Sequence, residues 1–246
     1  MTEPGPVSRV ALITGASTGL GETLASHLHG LGWSLVLTAR TAADLTAVAD
    51  RLSGRGGTVI AVAGDVGDAA HRERLIAAAD SLGRLDWLVN NASRIGVSPI
   101  RPLLDHPAEV FDEVLRTNVA APLALAQPAL PALRKSGGLV VNLSSVAAVE
   151  VFPCAGIYAA SKAALDQATR VLAVEIADSG AGAVSVDPGD MRTRGYEQAE
   201  PGFDLSGVPG PEVTLPFWEW LTERSADEVN GRRYQAQSGP WEPGPR

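Results

Sequence analysis

Val10-Ala11-Leu12-Ile13-Thr14-Gly15-Ala16-Ser17-Thr18-Gly19-Leu20-Gly21 is the stretch on which the reading of the whole chain turns. Arg9–Ile13 is a near-continuous apolar run, the pattern of a strand covered on both faces. A helical pattern, Gly21–Leu31, follows the glycines at once. Glycines at a strand-to-helix turn let backbone N–H groups approach an anion at the positive end of a helix. The spacing G-x-x-x-G-x-G differs from the G-x-G-x-x-G of the commoner dinucleotide fingerprint. Alone it is as well explained by a tight βα connection. Its place after the first strand of a βαβ unit favours a pyrophosphate cradle.

Outward from this turn, short apolar runs alternate with longer helical ones. Strands are expected at Ser34–Thr38, Val59–Ala63, Trp87–Asn90, Leu139–Leu143 and Ala183–Val186. Helices are expected at Ala42–Leu52, Ala69–Leu82, Glu109–Arg134 and Ile157–Ser179. The alternation predicts an α/β fold, a doubly wound Rossmann-type parallel sheet of about seven strands with helices on both faces. No linker or repeat interrupts it, so one domain is expected over residues 1–246. After Pro188 the rhythm fails. Residues Arg194 to Pro211, rich in Gly, Pro and acids, read as a long loop, part of a substrate loop spanning roughly 190–222 that could cover a ligand. A short helix, Leu215–Thr222, and an edge strand, Arg232–Gln237, follow. Residues 238–246, with Pro240, Pro243 and Pro245, read as a flexible tail.

Composition narrows the function classes. The 246 residues are 45% hydrophobic and 20% charged, which excludes wholesale disorder. Lys and Arg number 20 against 28 Asp and Glu, a net −8 with no basic cluster, which argues against nucleic acid or an anionic membrane as partner. The longest uncharged stretch, Thr117 to Leu133, has 17 residues and three prolines, and is not a membrane span. No basic-then-apolar signal pattern opens the chain, and the single cysteine, Cys154, suits a reducing compartment. A cytoplasmic setting is therefore expected.

Rival motifs fare worse than the dinucleotide turn. Gly15-Ala16-Ser17-Thr18-Gly19 also fits the G-x-S-x-G elbow of serine hydrolases. That chemistry needs a histidine after the serine and its acid in chain order, and His27, His29, His71 and His106 all lie in the first half. No Gly-Lys-Ser/Thr follows the glycines, so a P-loop is excluded. His27 and His29 sit two apart, on different helix faces, with no Cys or His cluster nearby to join them in a metal site.

Tyr158 and Lys162 lie four apart on an expected helix and share one face. A tyrosine titrates near ~10, and bringing it to ~7 takes about 4 kcal/mol of preferential phenolate stabilisation. A neighbouring ammonium in a water-poor site can supply part of that. Alone, the pair reads as a core-edge tyrosine beside a solvated lysine. Its company changes the weighting. Ser144 and Ser145 end the fifth strand, where parallel sheets place ligand-binding groups. Asn118 stands mid-helix, an uncongenial place for asparagine unless it is aimed into a site.

Taken together, TGASTGLG, Asp65-Val66, the Asn-Asn-Ala-Ser ending in Ser93, Asn118, Ser145, Tyr158-x-x-x-Lys162 and the Pro-Gly-Asp-Met-Arg-Thr ending in Thr193 resemble the short-chain dehydrogenase/reductase family, in its compact single-domain branch. The resemblance runs from Val10 to about Thr193. It implies that Gly15, Ser17, Thr18, Gly19, Leu20 and Gly21 line the pyrophosphate, that Asp65 and Val66 contact adenine, and that Asn91 and Ala92 sit beside the cofactor ribose. It implies Tyr158 as proton donor, Ser145 as the group polarising a carbonyl, and Asn118 as support for a proton-relay water. Lys162 would hold the nicotinamide ribose and depress the Tyr158 pKa. Pro188, Gly189 and Thr193 would embrace the nicotinamide.

Strand two ends Leu37-Thr38-Ala39-Arg40, without the acid that would hydrogen-bond ribose hydroxyls and repel a 2′-phosphate. Arg40 can instead offer a bidentate fork to that phosphate, so NADP(H) is expected ahead of NAD(H). The implied reaction is hydride exchange between cofactor and a ketone or aldehyde, or in reverse an alcohol. Arg94, Glu150, Phe152, Met191, Arg194 and Tyr196, with Val151, Cys154 and Phe203 nearby, are the candidate substrate contacts. A non-catalytic NADP(H)-binding redox sensor and an NAD-dependent alcohol dehydrogenase are the alternatives. The apolar faces of Glu109–Arg134 and Ile157–Ser179 suggest a homodimer, whereas Asn230–Gln237 departs from the family's usual ending and leaves tetramer formation open.

Overall fold

The computed structural model describes residues 8–54 and 56–242. Seven strands, β1 (Val10–Thr14), β2 (Ser34–Thr38), β3 (Val59–Ala61), β4 (Trp87–Asn90), β5 (Leu139–Leu143), β6 (Gly182–Asp187) and β7 (Arg233–Gln235), form one sheet in the order β3-β2-β1-β4-β5-β6-β7. Every pairing is parallel. All residues of β1, β2, β4, β5 and β6 are buried, which requires a helical coat on each face.

Side-chain alternation along the strands divides the core in two. Ala11, Ile13, Leu35 and Leu37 face one side, with Leu20, Leu24 and Leu28 of α1 (Gly19–Gly30), Leu45 and Val48 of α2 (Ala42–Leu52), and aromatic residues from near the C-terminus. Val10, Leu12 and Val36 face the other, with Leu75 of α3 (Ala69–Ser81), Leu125 and Leu133 of α5 (Ala121–Ser136), and Ala173 and Ile176 of α6 (Gly156–Ile176). The chain winds β1-β2-β3 one way and then crosses to β4. The gap outside the C-terminal ends of β1 and β4 is therefore the switch point where such sheets bind ligands.

Four expectations need correction. The helix expected over Glu109–Arg134 is two helices, α4 (Ala108–Leu115) and α5, joined by a π-helical segment, Arg116–Ala120, that carries Asn118. The extra residue in that turn swings Asn118 inward without breaking the helix. The loop expected over Arg194 to Pro211 begins with a helix, α7 (Arg194–Ala199), because the Thr193 hydroxyl caps it by accepting from the Tyr196 N–H at 3.3 Å. The tail is anchored at Trp241, whose Nε1 donates to the Gln235 carbonyl at 2.8 Å. Its ring lies 5.4 Å from Phe217 of α8 (Leu215–Thr222), so burial of an indole outweighs the neighbouring prolines. Residues 243–246 of that stretch lie outside the described residues. The edge strand is shorter than Arg232–Gln237, and a small helix, α9 (Ala226–Val229), precedes it. No described helix is long and apolar enough to cross a membrane.

Candidate functional site

The glycine turn and β4 meet across the switch point. The Asn91 amide donates to the carbonyls of Thr14 (2.8 Å) and Gly15 (3.0 Å), while the Thr14 hydroxyl accepts from the N–H groups of Asn91 (3.0 Å) and Ala92 (2.9 Å). Gly15 holds φ +66°, and a Cβ there would sit 2.8 Å from the Asn91 amide nitrogen. A Cβ on Gly21 would overlap the Gly15 carbonyl oxygen, so α1 starts hard against the turn. Among the described residues Thr18, at the N-cap, gives α1 no side-chain cap, which leaves first-turn N–H groups free for an anion.

The remaining cofactor candidates line the same edge of the sheet. Arg40 is exposed just past β2, and Ser17 is half-buried in the turn, whereas Leu20 packs into the core. Beyond β3, Asp65 accepts from the Gly67 N–H at 2.7 Å and Val66 is buried. Beyond β6, Asp187 accepts from the Gly189 N–H at 3.0 Å and Gln237 donates to the Pro188 carbonyl at 2.9 Å, and Thr193 reaches within 3.1 Å of where a Gly19 Cβ would stand. The groove thus runs from Arg40 through a cradle that side chains would fill to the Pro188 turn. The donor set fits a nicotinamide dinucleotide.

At the Pro188 end lies a cluster of polar side chains. The hydroxyls of Ser145 and Ser93 face the Tyr158 phenol and favour its ionised form. Burial pushes the Tyr158 phenol up to about 12 despite them. Lys162 is 2% exposed, and its Nζ donates to the Leu143 carbonyl at 2.6 Å and stands 5.5 Å from the Tyr158 ring centre. Burial brings it down to about 8, against the pull of Asp166 and Asp187. Burial outweighs the two serine hydroxyls, so the phenol is protonated across the neutral range. The Asn118 amide donates to the Arg94 carbonyl (2.8 Å) and the Ser161 hydroxyl (2.9 Å), and its oxygen accepts from the Arg94 N–H (2.8 Å). It thereby ties the loop after β4 to the helix of Tyr158.

The structure scatters the candidate substrate contacts. Arg94 pairs with Glu113 at 2.9 Å, and Glu150 and Phe152 are exposed on the loop between β5 and α6. Tyr196 stacks on Phe203 with ring centres 5.8 Å apart, and Met191 is buried in the core. Arg194 turns to Asp44 of α2 at 2.9 Å and lines a cleft with Gly19 and Thr193, beside the glycine turn. None of the histidine rings bonds Ser17: His29, His71 and His106 contact the Gly57 carbonyl, the Thr38 hydroxyl and the Arg101 carbonyl. Sequence reasoning passed over Ser93, Asp166, Asp187 and Arg233. For Ser93 the sequence does carry a signal, its place at the end of the Asn-Asn-Ala-Ser run.

A family model described as short chain dehydrogenase matches residues 9–202. Dehydrogenase/reductase SDR family member 4 of Bos taurus is 32% identical to this chain, the match covering 94% of this chain and 87% of the relative. Among solved structures, a short chain dehydrogenase from Shigella flexneri 2a str. 301 complexed with NADP is 28% identical with a TM-score of 0.85, covering 94% of this chain and 97% of that one. The 3-ketoacyl-(acyl-carrier-protein) reductase from Brucella melitensis complexed with NADH is 25% identical with a TM-score of 0.83, again covering 94% and 97%.

Proposed function

The chain is an oxidoreductase of the short-chain dehydrogenase/reductase family, and on that premise we propose that it interconverts a ketone or aldehyde and an alcohol with NADP(H). The observation that carries the reading is geometric: Tyr158 stands one helical turn from the buried Lys162, whose Nζ lies 5.5 Å from the phenol ring centre, with Ser145 at the end of β5 facing it. NADPH, when bound, supplies the hydride, and Gly15, Gly19, Gly21 and Asn91 would hold its pyrophosphate and ribose. The Ser145 hydroxyl orients and polarises the carbonyl oxygen. Tyr158 passes its proton to that oxygen as the alcohol forms, and Lys162 stabilises the phenolate left behind. In the oxidative direction each proton transfer reverses. Asn118 keeps the Arg94 loop and α6 in register around the pair.

Arg40 supports NADP(H) over NAD(H): it is exposed at the end of β2 with no acid beside it in sequence to contest a 2′-phosphate. The exposed Leu123, Val171 and Val174 on α5 and α6 support a homodimer through those helices. The test follows NADPH and NADH oxidation against a panel of ketones, aldehydes and quinones. NADPH consumption dependent on a carbonyl is expected. Turnover with NADH alone would overturn the role of Arg40, and failure to bind either nucleotide would overturn the reading.

A further inference from the structure

Arg233 lies on the edge strand β7, far in sequence from Ser145, Tyr158 and Lys162, yet its guanidinium reaches the nicotinamide end of the groove. Its Nε donates to Asp166 at 3.0 Å, and its Nη2 donates to the Ser145 carbonyl at 2.8 Å and to Asp187 at 3.1 Å. Each acceptor has a second task. The same Asp166 oxygen accepts from the Ser144 hydroxyl at 2.8 Å, and the other oxygen of Asp187 accepts the Gly189 N–H that shapes the Pro188 turn. Ser145 is the residue whose hydroxyl faces the Tyr158 phenol. Asp166 lies one turn beyond Lys162 on α6.

Both carboxylates are 3% exposed, and buried carboxylates persist only when paired. Lys162, Arg233, Asp166 and Asp187 make up two positive and two negative charges behind the phenol. A salt bridge serving stability alone would need only the carboxylates. The bond to the Ser145 carbonyl is what extends the network into the site, and the planar fork of arginine fixes its direction where a lysine ammonium would not. Resting on the function proposed above, we infer that Arg233 is a positioning residue: a clamp from β7 that holds Ser145, the Pro188-Gly189 turn and the Lys162 turn of α6 in one arrangement for the nicotinamide riboside half of the cofactor.

The test compares binding of NADPH with that of adenosine 2′-phosphate 5′-diphosphate, which keeps the pyrophosphate and lacks the nicotinamide riboside. The wild type is expected to prefer NADPH. Arg233→Met is expected to lower NADPH affinity about ten-fold and leave the fragment within about two-fold, with Arg233→Lys recovering part of the loss. If Arg233→Met fails to fold, Asp187→Asn, which keeps an acceptor for Gly189, is expected to lose at least about three-fold toward NADPH alone. Unchanged affinities in a merely less stable variant, or equal losses for both ligands, would overturn the clamp. So would a wild type that does not distinguish the two ligands. A wild type that binds neither would instead overturn the cofactor reading, and the clamp would fall with it.

Discussion

Burial moves Lys162 and Tyr158 apart in opposite senses, one down from 10.5 to about 8 and the other up from 10.0 to about 12. Between those values the tyrosine keeps its proton while the lysine loses its charge. For stability the signs are opposite. The unfolded chain binds more protons at Lys162 between pH 8 and 10.5, so burying it costs stability in full below pH 8, and the cost fades as pH rises. Tyr158 contributes stability below pH 10 that is lost as pH rises through 12. For activity, kcat/KM for NADPH reports the free enzyme, and it is expected to fall as pH rises through about 8. A profile flat to pH 9.5 would remove Lys162 charge from the binding step. Tyr158→Phe is expected to lower turnover by at least about a hundred-fold, with NADPH affinity nearly unchanged in a fluorescence titration; undiminished turnover would sink the mechanism. At Gly21 the constraint is steric. Gly21→Ala is expected to lower both the melting temperature and NADPH affinity, because the added methyl overlaps the Gly15 carbonyl and must push the turn open.

Among the elements, the π-helical segment between α4 and α5 is the most consequential. An apolar pattern with helical period runs through Glu109–Arg134, so the sequence reads as one helix, and one extra residue in one turn leaves no mark in that pattern. Only the folded chain shows that the extra residue delivers the buried Asn118 to four hydrogen bonds. Asn118→Ala leaves the Arg94 N–H and carbonyl without those partners and is expected to destabilise by about 2 kcal/mol. Thermal unfolding measures the loss, and faster hydrogen exchange in residues 92–95 locates it. α7 escaped the sequence reading for a different reason. Gly195 and the glycines and prolines after it outweigh six residues of helix, whereas the cap that starts α7 is a single threonine hydroxyl.

In the whole molecule, the face of the sheet away from α6 closes with an aromatic cluster: Trp33, Trp87, Phe217, Trp218, Trp220, Tyr234 and Trp241. Through this cluster the C-terminal segment holds β7, and with it Arg233, against the rest of the sheet. Trp241→Ala is expected to cost about 2 kcal/mol, less than a fully buried indole because the ring is partly exposed. Chemical denaturation measures it, and an unchanged midpoint would show the tail to be passive. Periodicity and turn chemistry are local properties, so the sequence by itself determined the alternation of strands and helices, the glycine turn after β1 and the pairing of Tyr158 with Lys162 on one helical face. The strand order, the inward turn of Asn118 and the place of Arg194 beside Asp44 were decided by the tertiary structure. So was the meeting of Arg233 with Asp166 and Asp187, 67 and 46 positions away. Those contacts depend on the register of β7 on β6 and the packing of α6 over the sheet, which join residues that no local spacing relates.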